Sequence, residues 1–208
     1  MMRAKAAKQY VARLDEHSDI IRRDMRLIRS IVGNDQELLD IGCGVGSFLS
    51  EYKEQLAVGV DISQDAILWC KNNGLYGAVA DGRCLPFSSK SFGLVRSKEV
   101  LEHILDPMEM VREMKRVLCA DGLLVCHVPT QFSMLYPLGA NFFDDYTHIR
   151  PFSKQGIERL LKDGGFRILR TEGYTSPKDW WQRPIAPILS RLLPFVWRIL
   201  ATPVGSTG

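Results

Sequence analysis

The sequence predicts an α/β chain: a mainly parallel, doubly wound sheet with helices on both faces. Short apolar runs ending on or near an acid recur at 38–41, 57–62 and 76–81, with segments of helical length between the first three runs. The first run, Leu38-Leu39-Asp40-Ile41, opens directly into Gly42-Cys43-Gly44-Val45-Gly46, after which apolar residues resume at Phe48 and Leu49. That order is a buried strand, a tight turn and the first turn of a helix. Asp61 lies 21 residues beyond Asp40, the distance between strand ends across one βαβ unit.

With 208 residues, the chain suits one domain with some length for additions. Its 46% apolar and 25% charged content is that of a globular protein with a real core. A formal charge of +3 is mild and gives no argument for nucleic acid. Five cysteines without a CxxC pair speak against a zinc or disulfide framework and fit a reducing, cytoplasmic setting. The charged N-terminus lacks the apolar core of a signal peptide.

Residues 1–35 read as a helical extension, with Leu14, Ile21 and Ile28 seven apart and Met25 and Val32 on the same side. Arg3, Lys5, Lys8, Arg13, Arg22, Arg23, Arg26 and Arg29 fill the other side, which reads first as a solvated basic face. The functional alternative is a lid or docking helix for an anionic substrate or membrane surface. In the glycine turn, missing Cβ atoms allow close approach of a ligand and φ > 0. The spacing differs from a nicotinamide fingerprint, whose closing glycine would fall at Ser47, while the third glycine stands one residue early at Gly46. Asp61, ending the second strand, is placed to accept hydrogen bonds from both hydroxyls of a ribose; its alternative role is a helix N-cap. A helix over 65–73, a third strand over 76–80, Asp81-Gly82 and a fourth strand over 91–95 follow. Next come a helix over 108–118, a fifth strand over 123–129, a long aromatic loop over 130–150, a helix capped by Ser153, and a sixth strand over 166–171.

The series Asp40-x-Gly42-x-Gly44-x-Gly46, Asp61-Ile62, Ala80-Asp81, Leu85-Pro86-Phe87 and Phe92–Val95 through Val100-Leu101-Glu102-His103 resembles the successive motifs of class I S-adenosylmethionine-dependent methyltransferases. It is most similar to their small-molecule branch, which includes quinone-biosynthesis enzymes. The resemblance covers about 38–174 and implies a Rossmann-like fold with S-adenosyl-L-methionine as cofactor. It implies that Gly42, Gly44 and Gly46 line the methionine part, that Asp40 helps hold its amino group, and that Asp61 binds ribose. Ile62 would pack on adenine, Asp81 with Gly82 would meet the adenine edge, and Ser97 and Lys98 would lie near methionine and substrate. Gly93 departs from the pattern, which usually has Asp there.

The long loop after the fifth strand belongs at the carboxyl edge of the sheet, which makes it the expected substrate wall. His103 and His148 are the candidate general bases. Glu99, Glu102 and His103 have the spacing of one helical face, and His148 can complete an O/N site for a divalent ion. This set resembles the metal site of small-RNA terminal 2′-O-methyltransferases and of some quinone O-methyltransferases. The preferred reading is nevertheless local pairing of Glu102 with His103, with His148 anchoring the loop.

Residues 177–208 read as a separate apolar, Pro-rich segment in place of the family's final antiparallel strand. Arg191, Arg198, Pro187 and Pro194 interrupt it, which argues against a spanning helix. Packing on the domain or on a second copy is preferred; lying on a bilayer interface through 180–204, as a peripheral membrane contact, is the alternative. The sequence therefore predicts three parts (1–35, 36–176 and 177–208) and O-methylation of a small-molecule or lipid-linked acceptor. The rivals are a non-catalytic cofactor-binding scaffold, a nicotinamide-dependent oxidoreductase and an RNA 2′-O-methyltransferase. Oligomeric state is not encoded in any of these signals.

Overall fold

The computed structural model describes residues 20–33, 36–52, 57–135, 141–175 and 192–204. Helix α1 (20–32) precedes β1 (Leu38–Ile41), α2 (Ser47–Glu51), β2 (Ala57–Asp61), α3 (Gln64–Asn72) and β3 (Tyr76–Val79). Then follow β4 (Phe92–Lys98), α4 (Pro107–Val117), β5 (Leu118–Pro129), α5 (Lys154–Asp163), β6 (Phe166–Tyr174) and β7 (Val196–Pro203). The strands form one sheet in the order β3-β2-β1-β4-β5-β7-β6, in which only β7 runs against the rest. The chain reverses its direction of travel across the sheet between β1 and β4. Ligands bind beyond the strand ends at such a switch.

Alternation along the strands builds two cores. On one face, Leu38, Leu94, Leu123, Val125 and Leu200 pack with Ile21, Met25 and Ile28 of α1 and with residues of α2 and α3. On the other, Leu39, Ile41, Val95, Leu124, Cys126 and Ile199 pack under α4 and α5. Met110, Val111, Met114 and Val117 of α4 are fully buried, each contributing about 1.5–3 kcal/mol by burial. N-caps start two of the helices. Ser153 Oγ accepts from Gly156 N at 3.0 Å to start α5, and Asp106 Oδ1 accepts from Met108 N at 3.0 Å ahead of Pro107 in α4.

The C-terminal expectation is corrected. Val196–Pro203 is the antiparallel strand thought to be missing, and it lies between β5 and β6 rather than outside the sheet. Its apolar run is a buried strand: Ile199 and Ala201 face one core and Leu200 the other. Arg198, which breaks that run in sequence, is neutralised by buried partners described below. Trp180 and Trp181, like residues 1–19, lie outside the described residues. Among the described residues no helix is long and apolar enough to cross a membrane.

Gly93 also finds a local reason. A Cβ there would overlap the Gln36 side chain, which occupies the space an acid would need at the start of β4.

Candidate active site

The glycine turn is held by the strand beside it. Gly42 N and Cys43 N both donate to Val60 O, at 2.8 and 3.0 Å. Gly42, Gly44 and Gly46 all adopt left-handed φ, of 73°, 54° and 76°. A Cβ on Gly42 would also overlap Val100. Asp61, at the end of β2, fixes the turn from the side: Oδ2 accepts from Gly44 N at 2.9 Å and Oδ1 from Ser63 N at 2.8 Å. Each carboxylate oxygen keeps a second lone pair for a ligand hydroxyl. Ile62 follows with 76% of its surface exposed, an apolar platform at the site's rim. The N-cap of α3 is Ser63, whose Oγ accepts from Ala66 N at 3.2 Å, so Asp61 is not needed for that role.

Asp81 lies just past β3 and grips its neighbour Arg83, which donates through N, Nε and Nη2 at 2.7–3.1 Å. The Arg83 hydrogen bonds hold the Asp81 carboxyl below its usual range. Gly82 is buried, and a Cβ on it would stand 3.0 Å from Ile41 and 3.1 Å from Met110. Ser97, near the end of β4, is buried and its Oγ has no hydrogen-bond partner among the described residues. Lys98 follows; burial pushes its amine down.

Asp40 is buried, and its Oδ1 accepts from Arg96 Nη1 at 2.9 Å. One carboxylate oxygen thus holds an ion pair under α1. Arg96 stacks over Phe48 at 4.1 Å and begins a buried polar line across β4, β5, β7 and β6. At its centre is Asp24 of α1, with Arg198 Nη1 at 3.0 Å, His127 Nε2 at 3.1 Å and Arg96 Nε at 3.8 Å. His127 Nδ1 is 3.0 Å from Tyr174 Oη, and Arg198 also pairs with Glu172. Burial pushes the Asp24 carboxyl up, but His127 and the two guanidiniums outweigh it and hold the group well below the ordinary range. Sequence reasoning missed this line. Its one signal is Asp24 itself, an acid on the apolar stripe between Ile21 and Ile28.

The second half of the site lies past β4. The expected helical face of Glu99, Glu102 and His103 does not form. Glu99 adopts φ 55° and donates its N–H to His127 O at 3.0 Å, and a short 3₁₀ turn starts only at Leu101. That turn brings Glu102 and His103 against His148 of the long loop, with the two imidazole centroids 4.7 Å apart. Ile149 N donates to Glu102 O at 2.8 Å and Arg150 Nη2 to Leu105 O at 2.7 Å, clamping loop to turn. Glu102 is fully buried and neither carboxylate oxygen has a partner among the described residues. Burial, aided by the charge of Glu99, raises this carboxyl well above its usual range.

The hydrogen bonds around both histidines set their tautomers. His148 Nδ1 is 2.6 Å from Phe142 O, which can only accept, so the proton sits on Nδ1. Thr147 Oγ1 donates to Asp145 Oδ1 at 2.6 Å and therefore accepts from His103 Nδ1 at 2.8 Å. Both Nε2 lone pairs are left for other work. Burial, then the neighbouring His148, pushes His103 down, which keeps it neutral.

A glycine turn, a ribose-type acid and an apolar platform at the switch of a Rossmann-like sheet define a protein that binds a nucleoside cofactor. The family model described as a methyltransferase domain matches residues 2–171, and the chain belongs to that family. An uncharacterized protein of Mycobacterium tuberculosis is 33% identical over 138 residues, 64% of this chain and 48% of that protein. An uncharacterized methyltransferase of Schizosaccharomyces pombe is 28% identical over 169 residues, 70% of this chain and 65% of its own length. The chain thus spans about half the length of the first and under two thirds of the second. A solved S-adenosylmethionine-dependent methyltransferase from Archaeoglobus fulgidus shares the fold with a TM-score of 0.67, at 24% identity over 88% of this chain and 92% of that one. The cofactor this class I fold implies is S-adenosylmethionine, and the glycine spacing fits it better than a nicotinamide dinucleotide. The residues present suit it: the turn has no Cβ to clear, Asp61 keeps free lone pairs, and Ser97 Oγ is buried without a partner.

Proposed function

We propose that the chain transfers a methyl group from S-adenosylmethionine to an oxygen of a small-molecule or lipid-linked acceptor. The observation that carries this reading is the pair of histidines, His103 and His148, which gather with Glu102 just past β4, each with Nδ1 engaged by a neighbour, on the edge that holds the glycine turn. When bound, S-adenosylmethionine supplies an electrophilic sulfonium methyl. The chain's part is to align the nucleophile and to favour its deprotonation. Gly42, Gly44 and Gly46 let the backbone approach the methionine part; Asp61 takes the ribose hydroxyls, Ile62 and Asp81 flank the adenine, and Ser97 faces the methionine. The imidazoles take up or orient the acceptor's proton, a task a nitrogen acceptor with a free lone pair would not need.

Exposed apolar side chains surround the same site. Leu105 follows the 3₁₀ turn and Phe143, Tyr146 and Ile149 stud the loop, with Tyr146 95% exposed. Such a rim favours an apolar or lipid-linked acceptor over a polynucleotide.

The test is a thermal-shift titration with S-adenosylhomocysteine, with NAD as comparison and Asp61→Ala as control. At about a hundred times its dissociation constant, the ligand adds about 2.7 kcal/mol, which for a chain of this size is about 5–10 °C. The shift is expected with S-adenosylhomocysteine alone and lost in Asp61→Ala. Labelled S-adenosylmethionine is then offered to phenolic, lipid-linked and RNA acceptors. A shift with NAD alone, or label passing only to nitrogen or to RNA, would overturn the proposal.

A further inference from the structure

We infer that Asp145 and Thr147 are positioning residues that make His103, rather than His148, the group that takes the acceptor's proton; this assignment rests on the methyl-transfer reading above. Three side chains form a line. His103 Nδ1 is 2.8 Å from Thr147 Oγ1, and Thr147 Oγ1 is 2.6 Å from Asp145 Oδ1. An ionised carboxylate only accepts, so the hydroxyl gives its one proton to Asp145 and turns a lone pair to His103. His103 therefore holds its proton on Nδ1 and leaves Nε2 to accept another.

Backbone bonds fix this line at both ends. Thr147 N also donates to Asp145 Oδ1 at 2.9 Å, and His148 N donates to Asp145 O at 3.1 Å. Ile149 N and Arg150 Nη2 tie the loop to the turn that carries His103, through Glu102 O and Leu105 O. His103 thus pairs with Thr147 and not with Glu102, the partner expected from sequence. Both Glu102 oxygens are without a partner among the described residues.

The two imidazoles differ in what stands behind them. His103 has a carboxylate one hydroxyl away; His148 has the carbonyl of Phe142, 2.6 Å from its Nδ1. Proton uptake makes an imidazolium, which a carboxylate stabilises more than a carbonyl dipole does. The ring centroids are 4.7 Å apart, so protonation of one ring opposes protonation of the other. Hydrogen bonds from Thr147 hold the Asp145 carboxyl below its usual range, which keeps it charged. Burial, then His148, pushes His103 down, while Asp145, Thr147 and Glu99 act upward. Glu102, grouped with the two rings, is pushed up by burial and adds little charge.

In the reaction the acceptor's O–H proton passes to His103 Nε2 while the oxygen's electron pair forms the O–CH₃ bond. The S–CH₃ bond breaks with its pair returning to sulfur, which leaves as a neutral thioether. His103 then releases the proton to solvent, and His148 serves to orient the hydroxyl.

The test uses the full chain with isotope-labelled imidazole nitrogens, its four histidines assigned by single substitutions to Gln. Long-range proton–nitrogen NMR spectra at about pH 8, above the ordinary histidine pKa, show which nitrogen carries the proton. In the wild type the His103 proton is expected on Nδ1. In Thr147→Val it moves to Nε2, and in Thr147→Ser it stays on Nδ1. Asp145→Asn should lower the His103 titration midpoint more than that of His148. Retained S-adenosylhomocysteine binding shows that each variant is folded; where Thr147→Val fails this check, Thr147→Ala replaces it. Labelled S-adenosylmethionine is then offered with phenol, and with para-nitrophenol, which is ionised at this pH and needs no base. Thr147→Val and Asp145→Asn should cut kcat for phenol at least about tenfold at an unchanged KM, and for para-nitrophenol far less. A wild-type proton on His103 Nε2, a tautomer indifferent to Thr147→Val, or equal losses with the two phenols overturns the inference. Spectra as expected, with no methyl transfer to any oxygen acceptor, uphold the placing of His103 and overturn the proposed function instead.

Discussion

Asp24 offers the sharpest test of how the α1 side of the sheet is held. It is the one acid that α1 sends into the buried line, and it meets three groups: Arg198 at 3.0 Å, His127 at 3.1 Å and Arg96 at 3.8 Å. Removing one member of a buried ion pair costs about 3–5 kcal/mol, because the remaining charge stays buried and unpaired. Here both arginines keep a second acid, Asp40 for Arg96 and Glu172 for Arg198. The lower end, about 3 kcal/mol, is therefore expected for Asp24→Asn. At about 2–4 °C per kcal/mol, that is a fall in Tm of about 6–12 °C. Urea unfolding at pH 7 measures it, and a loss below about 1 kcal/mol would refute the network as a clamp on α1. The pH dependence gives a second reading. A carboxyl held below its ordinary value stabilises the fold above its unfolded pKa of about 3.9 and loses that contribution as pH falls toward its folded value. The wild-type advantage over Asp24→Asn should stay level from pH 7 to about 5 and shrink below about 4. The groups facing Asp24 or lying next in the line are Arg96, Asp40, Lys98, His127, Glu172, Tyr174 and Arg198. An advantage that grows on acidification would contradict the assignment of charge to Asp24.

Gly42→Ala meets both a left-handed backbone and Val100, so a loss of about 1–3 kcal/mol in urea unfolding is expected, together with loss of S-adenosylhomocysteine binding. An unchanged midpoint would show that the turn relaxes freely. Gly93→Ala puts a Cβ against the end of the Gln36 side chain, which can swing aside, so a change below about 1 kcal/mol in urea unfolding is expected. A larger loss that persists in the Gln36→Ala background would remove Gln36 as the reason for this glycine.

The front of the sheet was legible because its information is local. Buried parallel strands read as apolar runs, their ends carry Asp40, Asp61 and Asp81, and the glycine spacing lies within seven residues. His103 and His148 were also visible as candidate bases, and the structure brings their rings to 4.7 Å between centroids. What the sequence hid depends on distant partners. Arg198 looked like a break in an apolar tail, because its acids are 26 and 174 residues away. Asp40 gave no sign in sequence of its partner Arg96, which lies 56 residues on. Glu99 fell out of its expected group through a left-handed φ that its residue type does not announce.

The place of β7 sets an order on folding. β6 has no neighbour in the sheet except β7, and β7 is synthesised after every other described strand. Until residues 196–203 are available, the outer edge of β5 and both edges of β6 present unpaired backbone groups, the kind of template on which chains aggregate. Damage confined to this strand would thus leave the cofactor turn on β1 intact in sequence, yet unable to persist in a soluble chain.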